Sequence, residues 1–148
     1  MADQRDEVVK KGAHGAWQIH YHIVFPVKYR KALLDETVTT MIQETAAEIA
    51  ERFPIEMDAM GTDKHHIHLL CRAHPNVAPG RIVQLFKSLT AREIFRRKPA
   101  VKRVLWGGEF WSDGYDVATG IAWSTVLLAE RRACRTINPI EARGRFSR

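Results

Sequence analysis

The spacing of apolar and polar positions changes period several times along the chain, and each change marks an element. Trp17-Gln18-Ile19-His20-Tyr21-His22-Ile23-Val24-Phe25 is rich in β-branched and aromatic residues. It predicts a central strand, ended or bulged by Pro26. From Asp35 the period becomes helical: Val38, Met41, Ile42, Thr45, Ile49 and Phe53 recur at helical spacing, with polar residues between. Asp35 is placed to cap this helix and Pro54 stops it. Ile55 to Met60 alternates and predicts a second strand. Gly61 to Lys64 is a turn and His66 to Arg72 a third strand, so the two form a hairpin. A loop over 75–79 precedes a second amphipathic helix from Gly80 to Lys98, with Ile82, Leu85, Phe86, Leu89 and Ile94 apolar, ended by Pro99. The glycine- and aromatic-rich stretch from Val104 to Tyr115 leads into a fourth strand over 114–119. A last helix is expected over 123–135, with Ser124 as its cap.

Strand, helix, strand, strand, helix, strand is the split β-α-β-β-α-β order. It predicts an α+β fold, a ferredoxin-like sandwich with an antiparallel sheet, two helices on one face and a C-terminal helix added. With 148 residues the chain has room for one domain. Its expected limits are 16–136, after a flexible polar arm over 1–15 and before a basic tail over 137–148.

On a strand, side chains alternate between faces, so His66 and His68 point one way and Ile67 and Leu69 the other. If Ile67 and Leu69 face the helices, the two imidazoles lie on the open face of the sheet. Two imidazoles at this spacing can close on one metal ion. The same spacing also describes a strand with two surface histidines, and His20-Tyr21-His22 has it too. A four-histidine site is disfavoured, because spacing constrains geometry weakly. His65 points away from His66, and His14 and His74 read as surface histidines. A divalent ion held by two imidazoles keeps open positions, can bind a phosphate oxygen and can act as a Lewis acid. Phosphodiester chemistry then needs water or a side-chain hydroxyl as nucleophile.

Charge adds a partner class. The formal net charge is +6, and the excess lies mainly in the C-terminal half, in Lys87, Arg92, Arg96, Arg97, Lys98, Lys102, Arg103 and the run from Arg131 to Arg148. A basic half suggests a polyanion, most often nucleic acid, although a solvated basic face has the same composition. The 2 cysteines, Cys71 and Cys134, are far apart and form no C-x-x-C pattern. Met1 to Lys11 is charged without an apolar run, and no apolar stretch reaches membrane-spanning length. These features predict an intracellular, cytoplasmic protein with no membrane partner.

Four blocks recur together and in order. They are Tyr21-His22-Ile23-Val24-Phe25 with Lys28-Tyr29-Arg30, then Gly61-Thr62-Asp63-Lys64 with His66-Ile67-His68-Leu69-Leu70, then Phe86-Lys87-Ser88-Leu89-Thr90-Ala91-Arg92, and then Leu105-Trp106-Gly107-Gly108-Glu109-Phe110-Trp111-Ser112-Asp113-Gly114-Tyr115. From about Trp17 to Thr119 the chain resembles the HUH-type single-tyrosine transposases, the small IS200-like transposases of insertion sequences. The resemblance implies a single-stranded DNA transposase that works as a homodimer on hairpin-bearing ends. It implies Mg or Mn on His66 and His68, and cleavage and rejoining through a phosphotyrosine. Lys28, Arg30, Lys87 and Arg92 are the corresponding candidates for DNA phosphate contact.

One part of the pattern is missing. The family carries its nucleophilic tyrosine on a helix after the last strand, which here falls near Ala129, Glu130 and Arg131, with a Gln or Asn ligand one turn on, near Ala133, Cys134 and Arg135. The 3 tyrosines of this chain are Tyr21, Tyr29 and Tyr115. A sequence rewritten by a frame shift after Thr119 and a domesticated DNA-binding protein are both compatible with that. Tyr115 as a substitute nucleophile is disfavoured, since Trp111-Ser112-Asp113-Gly114-Tyr115 reads as a turn into a strand. Two other classes remain open. One is a single-strand binding module that stacks bases on Trp106, Trp111 and Tyr29. The other is a metal-dependent phosphodiesterase that uses water.

Overall fold

The computed structural model describes residues 10–12, 15–17, 19–119 and 136–139, with side chains over 19–119. The alternating segments become strands and the helical periods become helices: β1 (Lys10–Gly12), β2 (Gly15–Trp17), β3 (His20–Pro26), α1 (Glu36–Arg52), β4 (Ile55–Thr62), β5 (His66–Ala73), α2 (Pro79–Arg97), α3 (Pro99–Val104), β6 (Asp116–Ala118) and β7 (Thr136–Pro139). The main sheet has 5 strands in the order β6-β3-β5-β4-β7. Every neighbouring pair in it is antiparallel. Its first four strands form the ferredoxin-like sheet expected from the element order, with β3 and β5 at the centre.

Period 2 in β3 and β5 explains why the core lies on one side. Tyr21, Ile23 and Phe25 of β3 and Ile67, Leu69 and Cys71 of β5 join Val38, Ile42 and Ile49 of α1 and Ile82, Phe86 and Ile94 of α2 in one buried cluster. Both long helices therefore cover the same face. Rings close the far side of this core. Phe25 meets Phe86 at 5.7 Å and Trp111 at 4.8 Å between centroids, both edge to face. Trp111 also meets Phe110 at 4.7 Å. The indole N–H of Trp111 donates to Thr90 Oγ1 at 2.9 Å, so its polar atom is satisfied inside the core.

Asp35 caps α1 as expected: its Oδ1 accepts from the Val38 N–H at 2.8 Å. Asp35→Ala leaves that amide without its acceptor and is expected to lower stability by about 1 kcal/mol, read from the urea midpoint.

Several features differ from the sequence pattern. Pro99 does not merely end α2; it occupies the first turn of α3, a position that needs no proline N–H. Part of the expected arm pairs as the small β1–β2 hairpin. The limit expected at 136 falls inside β7, which pairs with the outer edge of β4 from Ala59↔Pro139 to Thr62↔Thr136. Strand β4 carries an irregularity at Asp58, where Met57 pairs with Cys71 and Ala59 already pairs with Leu70. The helix expected over 123–135 lies outside the described residues. Among the described residues no helix is long and apolar enough to cross a membrane.

Candidate metal and DNA site

Strand β5 turns His66 and His68 away from the helices, since Ile67 and Leu69 between and beyond them are fully buried in the core. Register sets their neighbours. His68 lies opposite Val24 on β3 and Gly61 on β4, and His66 lies opposite Pro26. His22, one step diagonal from His68, stacks on it with centroids 5.8 Å apart and planes within 19°. The two H-x-H pairs thus meet on the face turned away from the helices, through His22 and His68. The Nδ1 atoms of His20 and His68 and the Nε2 of His22 are buried.

The turn before β5 adds a carboxylate that the spacing argument passed over. Asp63 Oδ1 accepts the backbone N–H groups of His65 and His66, each at 2.9 Å. It lies 3.7 Å from His66 Nδ1. Burial alone would raise the Asp63 carboxyl, but these two hydrogen bonds, with the neighbouring imidazoles, hold it below the usual range. The Nδ1 atoms of His65 and His66 are themselves in contact. One ligand atom each from Asp63, His65 and His66 fall within 4.8 Å of one another. The end of β5 therefore offers imidazole nitrogens and a carboxylate oxygen around His66, and a further imidazole at His68. Such a donor set fits a divalent ion with positions left open, and imidazoles favour Mn over Mg. Asp63 was legible only as a turn residue, because its role depends on the hairpin bringing it back over His66.

The four cations expected to touch DNA separate into two places. Lys28 sits in the turn after β3, where its Nζ donates to Glu109 Oε2 at 2.9 Å and lies 4.0 Å from Asp113 Oδ2. The Glu109 hydrogen bond raises the Lys28 ammonium above its ordinary value. Arg30 is exposed at the same turn. Lys87 and Arg92 are carried by α2, on the layer opposite the histidines. The Lys87 ammonium points into the molecule: it donates to the carbonyls of Ser112 and Gly114, both at 2.7 Å, and lies 5.2 Å from the Phe25 ring centroid. Burial lowers its pKa. Lys87 thus fastens the loop over 112–114 to α2, while Arg92 stays exposed. The helix period showed that these residues were polar, but not that a loop would fold back over one of them.

Of the three candidate stacking rings, Trp111 is excluded, since only 5% of it is exposed. Trp106 and Tyr29 are exposed, and the Tyr29 hydroxyl donates to the Trp106 carbonyl at 3.2 Å. The three tyrosine hydroxyls are dispersed. Tyr21 belongs to the helix-side core, and burial, with Cys71 nearby, raises its pKa. The Tyr115 oxygen lies beside Gly80 in the first turn of α2, 3.1 Å from where a Cβ would stand there.

The family described as IS200-like transposases matches residues 15–125. The ISDra2 transposase TnpA of Deinococcus radiodurans is 33% identical over 111 residues, which span 75% of this chain and 79% of that protein. An IS200 transposase of Salmonella typhimurium is 24% identical over 110 residues, 74% of this chain and 72% of its own length. A crystal structure of a candidate transposase from Deinococcus radiodurans R1 superimposes with a TM-score of 0.71 at 27% identity, covering 84% of this chain and 95% of that one. A REP-associated tyrosine transposase, solved bound to a REP hairpin, shares the fold at a TM-score of 0.52 and 12% identity, over 75% of this chain and 61% of its own. The β5 histidine pair thus lies in a matched domain covering most of the chain, and the chain belongs to the IS200-like transposase family.

Proposed function

We propose that this protein binds hairpin-bearing single-stranded DNA in the cytoplasm, as a homodimer, with Mn or Mg held by His66 and His68, and makes no phosphotyrosine of its own. The observation that carries this reading is the outward pair on β5 within a transposase-family domain. A bound ion would supply Lewis-acid polarisation of a phosphate oxygen. The chain itself orients the imidazoles through the antiparallel register and holds the preceding turn through Asp63. Lys28 and Arg30, on the turn next to His66, are the cations best placed to meet a phosphate. The choice of a hairpin rests on family membership and on the hairpin held by the REP-associated relative.

The nucleophile is where this chain departs from an active transposase. Tyr21 is enclosed in the core, Tyr29 is tied to the Trp106 turn, and no tyrosine follows Tyr115. Covalent strand transfer needs a hydroxyl that can attack the phosphate and later leave. The test is incubation with a hairpin-forming single strand and Mn²⁺, analysed on native and denaturing gels. A shifted native band that chelator removes, without a covalent band under denaturing conditions, is the expected result. A covalent adduct would overturn the loss of cleavage. Binding indifferent to chelator would favour a metal-free binding module.

A further inference from the structure

We propose that Trp106 and Tyr29 form a stacking subsite for an unpaired base, beside the His66 end of β5. The inference rests on the single-strand reading above and adds a ligand site to it. Trp106 is 81% exposed, whereas Phe110 and Trp111, in the same stretch, are buried. An indole left this far in water forgoes the burial its neighbours obtain.

Its backbone is specially held. Trp106 opens a turn whose next residues, Gly107 and Gly108, have φ of 83° and 73°. The facing turn has Tyr29 and Arg30 at φ of 58° and 50°, left-handed values that cost non-glycine residues energy. These turns are joined by the Tyr29 hydroxyl on the Trp106 carbonyl at 3.2 Å, the Lys28 N–H on the Phe110 carbonyl at 2.8 Å and the Lys28 ammonium on Glu109. The pair is tied to the histidine strand, because the Val27 N–H donates to the His65 carbonyl at 2.8 Å and Pro26 pairs with His66.

Charge selects the occupant. Arg30 and Lys31 follow Tyr29 in sequence, and Lys102 of α3 reaches the Trp106 turn, its Cε 3.5 Å from where a Cβ on Gly108 would stand. Glu109, three residues after Trp106, is already paired with Lys28. A two-ring patch among cations and glycines offers little apolar area to a protein surface. It suits one base, whose face stacks while its phosphates meet the cations.

The test measures binding of a fluorescent oligodeoxythymidine strand, too simple in sequence to fold, to the full chain with Mn²⁺. Trp106→Ala is expected to weaken binding about 5- to 150-fold. Trp106→Phe should stay within about 3-fold of the parent, because a ring remains. The slope of log affinity against log salt should be unchanged, since no phosphate contact is removed. An alanine variant that binds within about 2-fold of the parent overturns the subsite, given the size of stacking effects. So does a DNA-free protein whose sedimentation changes on Trp106→Ala, which would make the indole a self-association surface. A parent protein that binds neither this strand nor a hairpin-bearing one overturns the subsite and the single-strand reading together, whereas one that binds only the hairpin-bearing strand overturns the subsite alone. Loss of chelator sensitivity alone, with the Trp106 effect intact, overturns only the metal assignment.

Discussion

Replacing both His66 and His68 by alanine is expected to lower Mn²⁺ affinity by more than about 100-fold, measured by titration calorimetry. Removal of groups that merely orient a ligand costs about 10- to 100-fold, and the ligands themselves count for more. Folding should survive, because both side chains face away from the core that Ile67 and Leu69 enter. The single variants distinguish two ways of holding the ion. If the ion sits between His66 and His68, each single substitution weakens it strongly. If it sits among Asp63, His65 and His66, whose ligand atoms cluster within 4.8 Å, then His68→Ala leaves the affinity nearly intact. That second outcome would overturn the assignment of His68 as a ligand. His22→Ala is expected to have the smaller effect of losing a stacked neighbour, since its ring packs on His68 at 5.8 Å.

Phe86→Ala is expected to destabilise the protein by about 3–5 kcal/mol, the range for truncating a fully buried phenylalanine. Typical domains have only about 5–15 kcal/mol in total. Phe86 is fully enclosed and lies at the junction of three parts: its own helix, Phe25 of β3 at 5.7 Å and Trp111 at 6.4 Å. Its loss opens a cavity where sheet, helix and loop meet, and a single rearrangement cannot fill it from all three sides. The measurement is the denaturant midpoint with the slope held constant. A cost below about 1 kcal/mol would mean that the ring cluster collapses onto the gap, contrary to the partial relaxation usual in cores.

The sequence pattern was most informative where one physical rule governs a whole segment. Period 2 in β3 and β5 and period 3.6 in α1 and α2 gave the element order and the outward direction of His66 and His68, because burial forces alternation. It failed where neighbours distant in the chain decide the outcome. Trp106 and Trp111 are both tryptophans in a glycine-rich stretch with no period. One enters the core against Phe25 and Thr90, and the other remains outside. Lys87 has the same helical phase whether it meets solvent or the carbonyls of Ser112 and Gly114. The Thr136–Pro139 strand is too short and too polar at its start to announce itself. It is recognised only by the exposed edge of β4 that it pairs with.

The irregularity in β4 bears on which length changes this sheet can accept. Pairing runs Met57↔Cys71 and then Ala59↔Leu70, so Asp58 is the strand's one spare residue. Deleting it would leave Ala59, Met60 and Gly61 on their present sides, at the loss of one carboxylate for Arg72, which Asp58 Oδ1 meets at 2.6 Å. Deleting Ala59 instead would also restore regular pairing, but with Asp58 opposite Leu70, a carboxylate where a methyl now stands. Lineages of this fold can therefore lose either residue of the irregularity and keep Gly61 opposite His68, but only the loss of Asp58 keeps alanine opposite Leu70.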